Sequence, residues 1–180
     1  FLLLSQILSS DYYGKIRTDM QLGYIVFAAN FKLLDVPAIA FIVQSPNTSG
    51  PDLFTETKLF LSQHTDVLKK LDSETMERFR SSVISRLNKK DNTLYERSNR
   101  YWQDIDRINN NFDTKQKLAA EVAKIDLASF LNFYTKTTEN QGSGLLVYSE
   151  PDDAKDLQKA PENLVHLSQE KAKKLGSFAQ

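Results

Sequence analysis

Apolar residues recur every three or four positions over most of this chain, a spacing typical of helices that pack one face on a core. The first pattern covers residues 2–16, and a second runs from Pro51 to Leu71. Four further helices are predicted, each beginning at a polar residue of the kind that caps a helix. These residues are Asp72 or Ser73, Thr93 in a capping-box pattern with Glu96, Asp113 and Asp126.

Two β-prone runs interrupt the helical pattern near the start of the chain. Residues 22–34 and residues 38–44 are separated by Asp35-Val36-Pro37, so they are predicted to be antiparallel neighbours. The first run is apolar on both of its alternating faces, which favours a central strand covered on both sides. A short third strand is predicted from Leu145 to Tyr148. Together the elements predict an α+β fold in which helices pack on one side of an antiparallel sheet.

The length and composition are those of an ordinary globular protein. The 180 residues suit one domain, predicted over residues 1–149, and a polar, partly helical tail over residues 150–180. Because 23 basic residues balance 23 acidic ones, nothing points to a nucleic acid or an anionic membrane as partner. The apolar opening is too short to cross a membrane. No cysteine is present, which excludes disulfides and thiolate zinc sites but leaves the compartment open, periplasmic or cytoplasmic.

One stretch carries a specific motif. After the first helical pattern the chain reads Arg17-Thr18-x-x-Gln21-Leu22-Gly23-Tyr24-Ile25-Val26. This order of charged, amide, glycine and aromatic residues resembles the C-terminal-half signature of the insulysin/pitrilysin zinc metallopeptidases, the inverzincins of peptidase family M16. The resemblance covers most of residues 1–149 and is strongest over residues 13–45.

The resemblance implies that this chain is a C-terminal-half domain of a zinc-dependent metalloendopeptidase that degrades peptides in a closed chamber. It implies an antiparallel two-layer domain whose first strands would precede Phe1. Arg17 and Tyr24 match the arginine and tyrosine with which that half contacts the substrate and the transition state. Zinc would be bound outside this chain, by an N-terminal catalytic half carrying the His-x-x-Glu-His motif that is missing here. The chain is therefore expected to be inactive alone.

The chemistry of Arg17 and Tyr24 fits that role without the resemblance. A cation and a phenol donor can stabilise the negative charge that develops on a peptide oxygen during attack by water. A structural alternative remains open for each residue: Arg17 could cap the C-terminus of the first helix, and Tyr24 could fill the core. We interpret Gln21 and Gly23 as structural, with Gln21 bonding to the backbone and Gly23 allowing a tight approach. The strand residues 25–30 could also offer an edge to an extended peptide.

The remaining candidate sites have simpler interpretations. His64 lies on an apolar helical stripe and is predicted to be a packed core histidine. His166 and Glu170 share a helical spacing but make a weak metal site, so no metal is predicted in this chain. The aromatic and basic residues of the fourth helix are predicted to pack in the core with a solvated basic rim, rather than to form a recognition surface. They are Tyr95, Arg97, Arg100, Tyr101, Trp102 and Arg107.

A second hypothesis from another class is a non-catalytic scaffold or peptide-binding subunit of the same superfamily. Such a subunit would tolerate the loss of Arg17 and Tyr24, whereas this chain has both within the motif. A free-standing regulatory peptide-binding module is a third possibility. The presence of the pair favours the peptidase interpretation.

Overall fold

The structure is a computed structural model, and it describes residues 1–33, 36–106, 110–139 and 144–149. Six α-helices and two β-strands are present in these residues, and the strands form a β-hairpin that packs chiefly on the first helix. The helices are α1 (Leu2–Tyr13), α2 (Gly50–Leu68), α3 (Ser73–Asn88), α4 (Leu94–Asp106), α5 (Thr114–Ala123) and α6 (Leu127–Glu139). The strands are β1 (Ile25–Leu33) and β2 (Val36–Gln44). The α+β prediction is confirmed.

Most helices begin where the sequence predicts, because their first free N–H groups meet a side-chain oxygen. The Ser49 hydroxyl accepts a bond from the Asp52 N–H at 3.3 Å, with Pro51 in the first turn of α2. The Asp72 carboxylate accepts one from the Thr75 N–H at 2.6 Å. Caps of the same kind precede α4 and α6 at Thr93 and Asp126. Asp113 is different: it makes no side-chain cap bond, and its carboxylate lies 3.0 Å from Lys117 Nζ.

The two strands pair in antiparallel register, with Ile25 opposite Gln44 and Leu33 opposite Val36. Opposite residues share a face, so Val26 and Ala28 lie on the same side as Val43 and Phe41. This inner face packs against the core, chiefly through contact between β1 and α1. The prediction of a strand covered on both faces is wrong for the described part of the chain. The large apolar residues described on the outer face stay 42–65% exposed: Ile25, Phe27, Phe31, Val36 and Ile42.

The core is centred on Tyr12 at the end of α1. Its ring is fully buried and makes edge contacts with Phe41 of β2 and Phe60 of α2. Its hydroxyl lies 2.9 Å from the Thr57 hydroxyl, so the polar end of the side chain is also satisfied. Tyr134 of α6 is equally buried and donates to the Leu61 carbonyl oxygen at 2.7 Å. These contacts hold α1, α2, α6 and the hairpin together.

Two further predictions are wrong. The aromatic residues of α4 do not enter the core, since Tyr95 is 79% exposed and Trp102 is 60% exposed. Within α4 the buried side chain is Asp104, whose Oδ1 accepts from the Thr114 hydroxyl at 2.5 Å. The predicted third strand also does not form: residues 144–149 have no regular secondary structure, because neither described strand pairs with them. The predicted tail over residues 150–180 lies outside the described residues.

A helix that crosses a bilayer needs about 20 consecutive, mostly apolar residues. None of the described helices is long and apolar enough to span a membrane.

Candidate functional site

Arg17 is carried by a π-helical segment, Gly14–Asp19, that continues directly from α1. The wider turn is closed by the Met20 N–H, which donates to the Lys15 carbonyl oxygen at 3.0 Å. Ile16 is buried and anchors the segment on the core, so the neighbouring Arg17 is directed outwards and is only partly buried. The single helix predicted over residues 2–16 is therefore an α-helix, α1, followed by the start of the π-helical segment.

Gln21 turns the chain out of this segment. Its φ of 54° lies in the left-handed region, and the following Leu22 N–H donates to the Ile16 carbonyl oxygen at 3.0 Å. The arrangement is similar to a Schellman ending, in which a left-handed residue follows the helix and the next residue bonds back to it. Because of this turn, Tyr24 comes back alongside Arg17.

Gly23 then allows the chain to join the hairpin. A Cβ atom at this position would lie 2.7 Å from Val43 Cγ1 and 2.8 Å from the Gln44 carbonyl oxygen, which is closer than such atoms approach. The next N–H, that of Tyr24, donates to the same Gln44 oxygen at 3.0 Å. The glycine is therefore required by space, and it fixes the backbone of Tyr24 against the end of β2.

These three local features produce one open cleft with a volume of about 260 Å³. It is lined by Arg17, Gln21, Gly23, Tyr24 and Pro46. The structure thus brings both predicted site residues to one place. Tyr24 is 52% exposed, so it does not fill the core.

The Arg17 guanidinium is held by an aromatic ring rather than by a carboxylate. Its central carbon lies 5.6 Å from the centroid of the Tyr13 ring, a cation–π distance. Within the described residues, Arg17 has no ion pair and donates no hydrogen bond to a helix carbonyl. Arg17 therefore does not cap the helix through a hydrogen bond to a described carbonyl, and its charge is available to a ligand.

The cleft can donate hydrogen bonds and positive charge to a bound group. Arg17 offers a planar fork of N–H donors, and Tyr24 offers a neutral phenol. Among the described residues, the lining of the cleft includes no carboxylate, imidazole or thiol that could activate water or bind a metal. The arrangement can therefore orient and stabilise a polar substrate, but it has no group that could start hydrolysis.

The described residues do not fit a zinc ion elsewhere either. No three His, Cys, Asp or Glu side chains in them lie close enough to hold a metal. The imidazole of His64 stacks on Phe60 with a centroid distance of 5.0 Å, and its Nε2 lies 3.4 Å from Asp11 Oδ2 without the alignment of a hydrogen bond. His166 and Glu170 lie outside the described residues.

The environment of His64 predicts a loss of stability in mild acid. Burial lowers the pKa of His64 below its ordinary 6.5, and the partly opposing charge of Asp11 does not restore it. In the window below pH 6.5 the unfolded chain binds the proton more readily, so the free energy of unfolding decreases as the pH falls. Urea unfolding at pH 7 and pH 5, in a His166→Gln background, measures this slope. His64→Gln is expected to flatten it, and an unchanged slope would contradict the assignment.

Three carboxylates with a lowered pKa act in a lower pH range than His64. Asp72 and Asp126 accept backbone N–H bonds, and Asp91 accepts bonds from Arg100 and Lys115, so the pKa of each lies below its ordinary 3.8. Their contribution to stability is present above pH 3.8 and is lost only at lower pH.

Sequence reasoning missed two contributors to the cleft. Tyr13 stands four residues before Arg17, and this helical spacing is the signal that could have paired them. Gln21 was interpreted as bonding to the backbone. Its side chain instead makes no hydrogen bond with the described residues and lines the cleft.

Comparison with known proteins identifies relatives over most of this chain. Residues 3–102 match the family described as PQQ synthase PqqF-like, C-terminal lobe domain 4. Protease 3 of Escherichia coli K12 is 29% identical over 147 residues, which are 80% of this chain and 15% of that protein. A nardilysin-like protein of Arabidopsis thaliana is 30% identical over 132 residues, 73% of this chain and 13% of that protein. The insulin-degrading enzyme of Drosophila melanogaster is 27% identical over 149 residues, 82% of this chain and 15% of that protein.

A solved structure agrees with the fold. The crystal structure of pitrilysin superposes with a TM-score of 0.71 at 23% identity, over 83% of this chain and 17% of that one. The chain therefore spans about one-sixth or less of the length of these relatives. The matched family covers more than half of the chain and its relatives are peptidases, so the chain belongs to the M16 metallopeptidases, as a PqqF-like C-terminal lobe domain 4.

Proposed function

We propose that this chain is a non-catalytic C-terminal-half domain of a zinc-dependent metalloendopeptidase, and that Arg17 and Tyr24 contact the substrate and the transition state. One observation carries the proposal. The two donors line the same open cleft, and Arg17 has no carboxylate partner in the described residues to neutralise it. A buried or paired arginine would not be free to bind a ligand.

The proposed mechanism follows from the charge that develops during hydrolysis. When water attacks a peptide carbonyl, negative charge builds on the oxygen. Donors aimed at that oxygen therefore stabilise the transition state more than the ground state. The Tyr13 ring limits where the Arg17 guanidinium can move, and Gly23 fixes the backbone of Tyr24. The guanidinium and the backbone that carries the phenol are therefore held in place before substrate arrives, which reduces the reorganisation needed during the reaction.

The remaining parts of the reaction must come from elsewhere. Because the described residues do not fit zinc and offer no base at the cleft, we assign the metal, the general base and the attacking water to an N-terminal catalytic half. The substrates would be peptides enclosed between the two halves. In support, the relatives include a protease and an insulin-degrading enzyme that are much longer than this chain.

A photo-crosslinking experiment tests whether peptide lies at the cleft. Benzoylphenylalanine would replace Tyr24 in the complete natural protein, which would then be irradiated with an end-labelled peptide. Because this change also removes the hydroxyl, cleavage should slow and the peptide should persist. We expect the crosslink within a few residues of the scissile bond, as located by mass spectrometry.

Tyr95 provides the matched control, because it is a more exposed tyrosine on α4, at 79%, and does not line the cleft. The same analogue at Tyr95 is expected to give no peptide adduct. Equal labelling from both positions, or none from Tyr24, would overturn the proposal. A crosslink at Tyr24 in a natural protein that never cleaves peptides would instead support the scaffold or peptide-binding subunit.

A further inference from the structure

Gln21 has a backbone conformation that its residue type does not favour. Its φ is positive, at 54°. Among the described residues, the only other non-glycine with a positive φ is Phe112, at 53°. Glycine adopts this region without a steric cost, and asparagine tolerates it better than glutamine does. The turn that brings Tyr24 beside Arg17 would therefore form more easily with either of those residues. The folded backbone alone does not explain a glutamine here.

The side chain of Gln21 contributes nothing visible to the fold. It is exposed, it lines the cleft with Arg17 and Tyr24, and it makes no hydrogen bond with the described residues. Residues held in sparsely populated regions of backbone conformation are found disproportionately at functional sites. The strain at Gln21 therefore points to a use for its side chain in the cleft.

The chemistry of a primary amide defines that use. Arg17 can only donate hydrogen bonds, whereas the Gln21 amide has two N–H donors and a carbonyl acceptor. A peptide group has one N–H and one C=O, so among the polar side chains of the cleft an amide is its closest chemical match. Tyr24 offers a single hydroxyl in comparison.

We infer that Gln21 binds the main chain of an extended peptide beside the bond that Arg17 and Tyr24 contact, accepting from one substrate N–H. Such a contact holds the substrate without reading its side chains, so it contributes affinity rather than sequence specificity. This inference rests on the proposed function and adds a third binding residue to it. It also reverses the structural interpretation that the sequence suggested for Gln21.

The test combines two changes at Gln21 with a change in the substrate. Gln21→Gly removes the amide and relieves the backbone, and Gln21→Asn keeps an amide that is one methylene shorter. Each is measured in the complete natural protein with an internally quenched peptide and with matched peptides in which one amide near the scissile bond is an ester. The ester lacks the N–H that Gln21 is inferred to accept from.

Gln21→Gly is expected to raise KM about three- to tenfold, the effect of losing one neutral hydrogen bond, and to lower kcat less. One ester is expected to raise the KM of the unaltered protein by a similar factor but to have little further effect on Gln21→Gly. The KM of Gln21→Asn is expected to lie between that of the unaltered protein and that of Gln21→Gly. The Gly variant should also melt at a higher temperature, because glycine adopts the left-handed region freely.

Gln63→Asn is the matched control, since it shortens an exposed amide on α2 that does not line the cleft. It should leave KM unchanged. The inference is overturned if Gln21→Gly leaves KM unchanged, or if every ester affects both proteins equally. Arg17→Ala, measured in parallel, separates the two proposals: if it slows cleavage while Gln21→Gly does not raise KM, only the role of Gln21 fails. If neither change has an effect, both fail.

Discussion

Replacing Gly23 with alanine is expected to destabilise the domain by about 3 kcal/mol, at the upper end of the cost of overpacking. The added methyl group would lie 2.8 Å from the Gln44 carbonyl oxygen and 2.7 Å from Val43 Cγ1. The oxygen belongs to the β2 backbone and already accepts the Tyr24 N–H, so it cannot move without breaking that bond. Urea unfolding followed by circular dichroism measures the change.

Gly14→Ala provides the matched control for this prediction. A methyl group at Gly14 meets no atom within 4 Å, and the residue lies in the π-helical segment, where alanine is the better helix former. This variant should be as stable as the unaltered chain or more stable by up to about 1 kcal/mol. If Gly23→Ala were equally well tolerated, space at β2 would not be the reason for glycine in the motif.

Elements whose signals are local could be predicted from the sequence. Ser49 followed by Pro51, Asp72 and Asp126 mark the starts of helices because the capping bond is made within one turn of the residue itself. The antiparallel hairpin followed from two apolar runs and a short connection. The buried stripe of α1 was equally clear, since its apolar spacing is sufficient to specify one face.

Burial was predicted less well, because it depends on partners far along the chain. The pattern of α4 is strongly amphipathic, but the described residues place its buried side chain, Asp104, against Thr114 and leave Trp102 exposed. The outer face of β1 is apolar, although no described element packs on it. An apolar pattern indicates that a face is suited to burial, but it does not say whether a partner covers it.

Four of the five residues that line the cleft could be named from the motif, but their arrangement could not. A π-helical segment preserves the four-residue spacing between Tyr12 and Ile16, so it is invisible to a helical pattern. The positive φ of Gln21 was also hidden, because glutamine is not a residue that signals such a turn. These two features bring Arg17 and Tyr24 to the same cleft.

The second large effect is expected at Arg17. In the complete natural protein, Arg17→Ala should lower kcat for peptide hydrolysis on the order of a hundredfold, the typical consequence of removing one donor from a developing oxyanion. Arg17→Lys keeps a charge but loses the planar fork and its stacking on Tyr13, so it should recover only part of the rate. Circular dichroism of both variants checks that the fold is intact, and normal rates for Arg17→Ala would remove it from the transition state.

Tyr24→Phe is the most direct test of the claim that the cleft acts on the transition state, because it deletes one oxygen from a side chain that is 52% exposed and leaves the ring in place. Steady-state hydrolysis of an internally quenched peptide by the complete natural protein separates binding from rate. The proposed role predicts that kcat and kcat/KM fall together, on the order of a hundredfold, with KM nearly unchanged. An unchanged kcat, with or without a rise in KM, would contradict it.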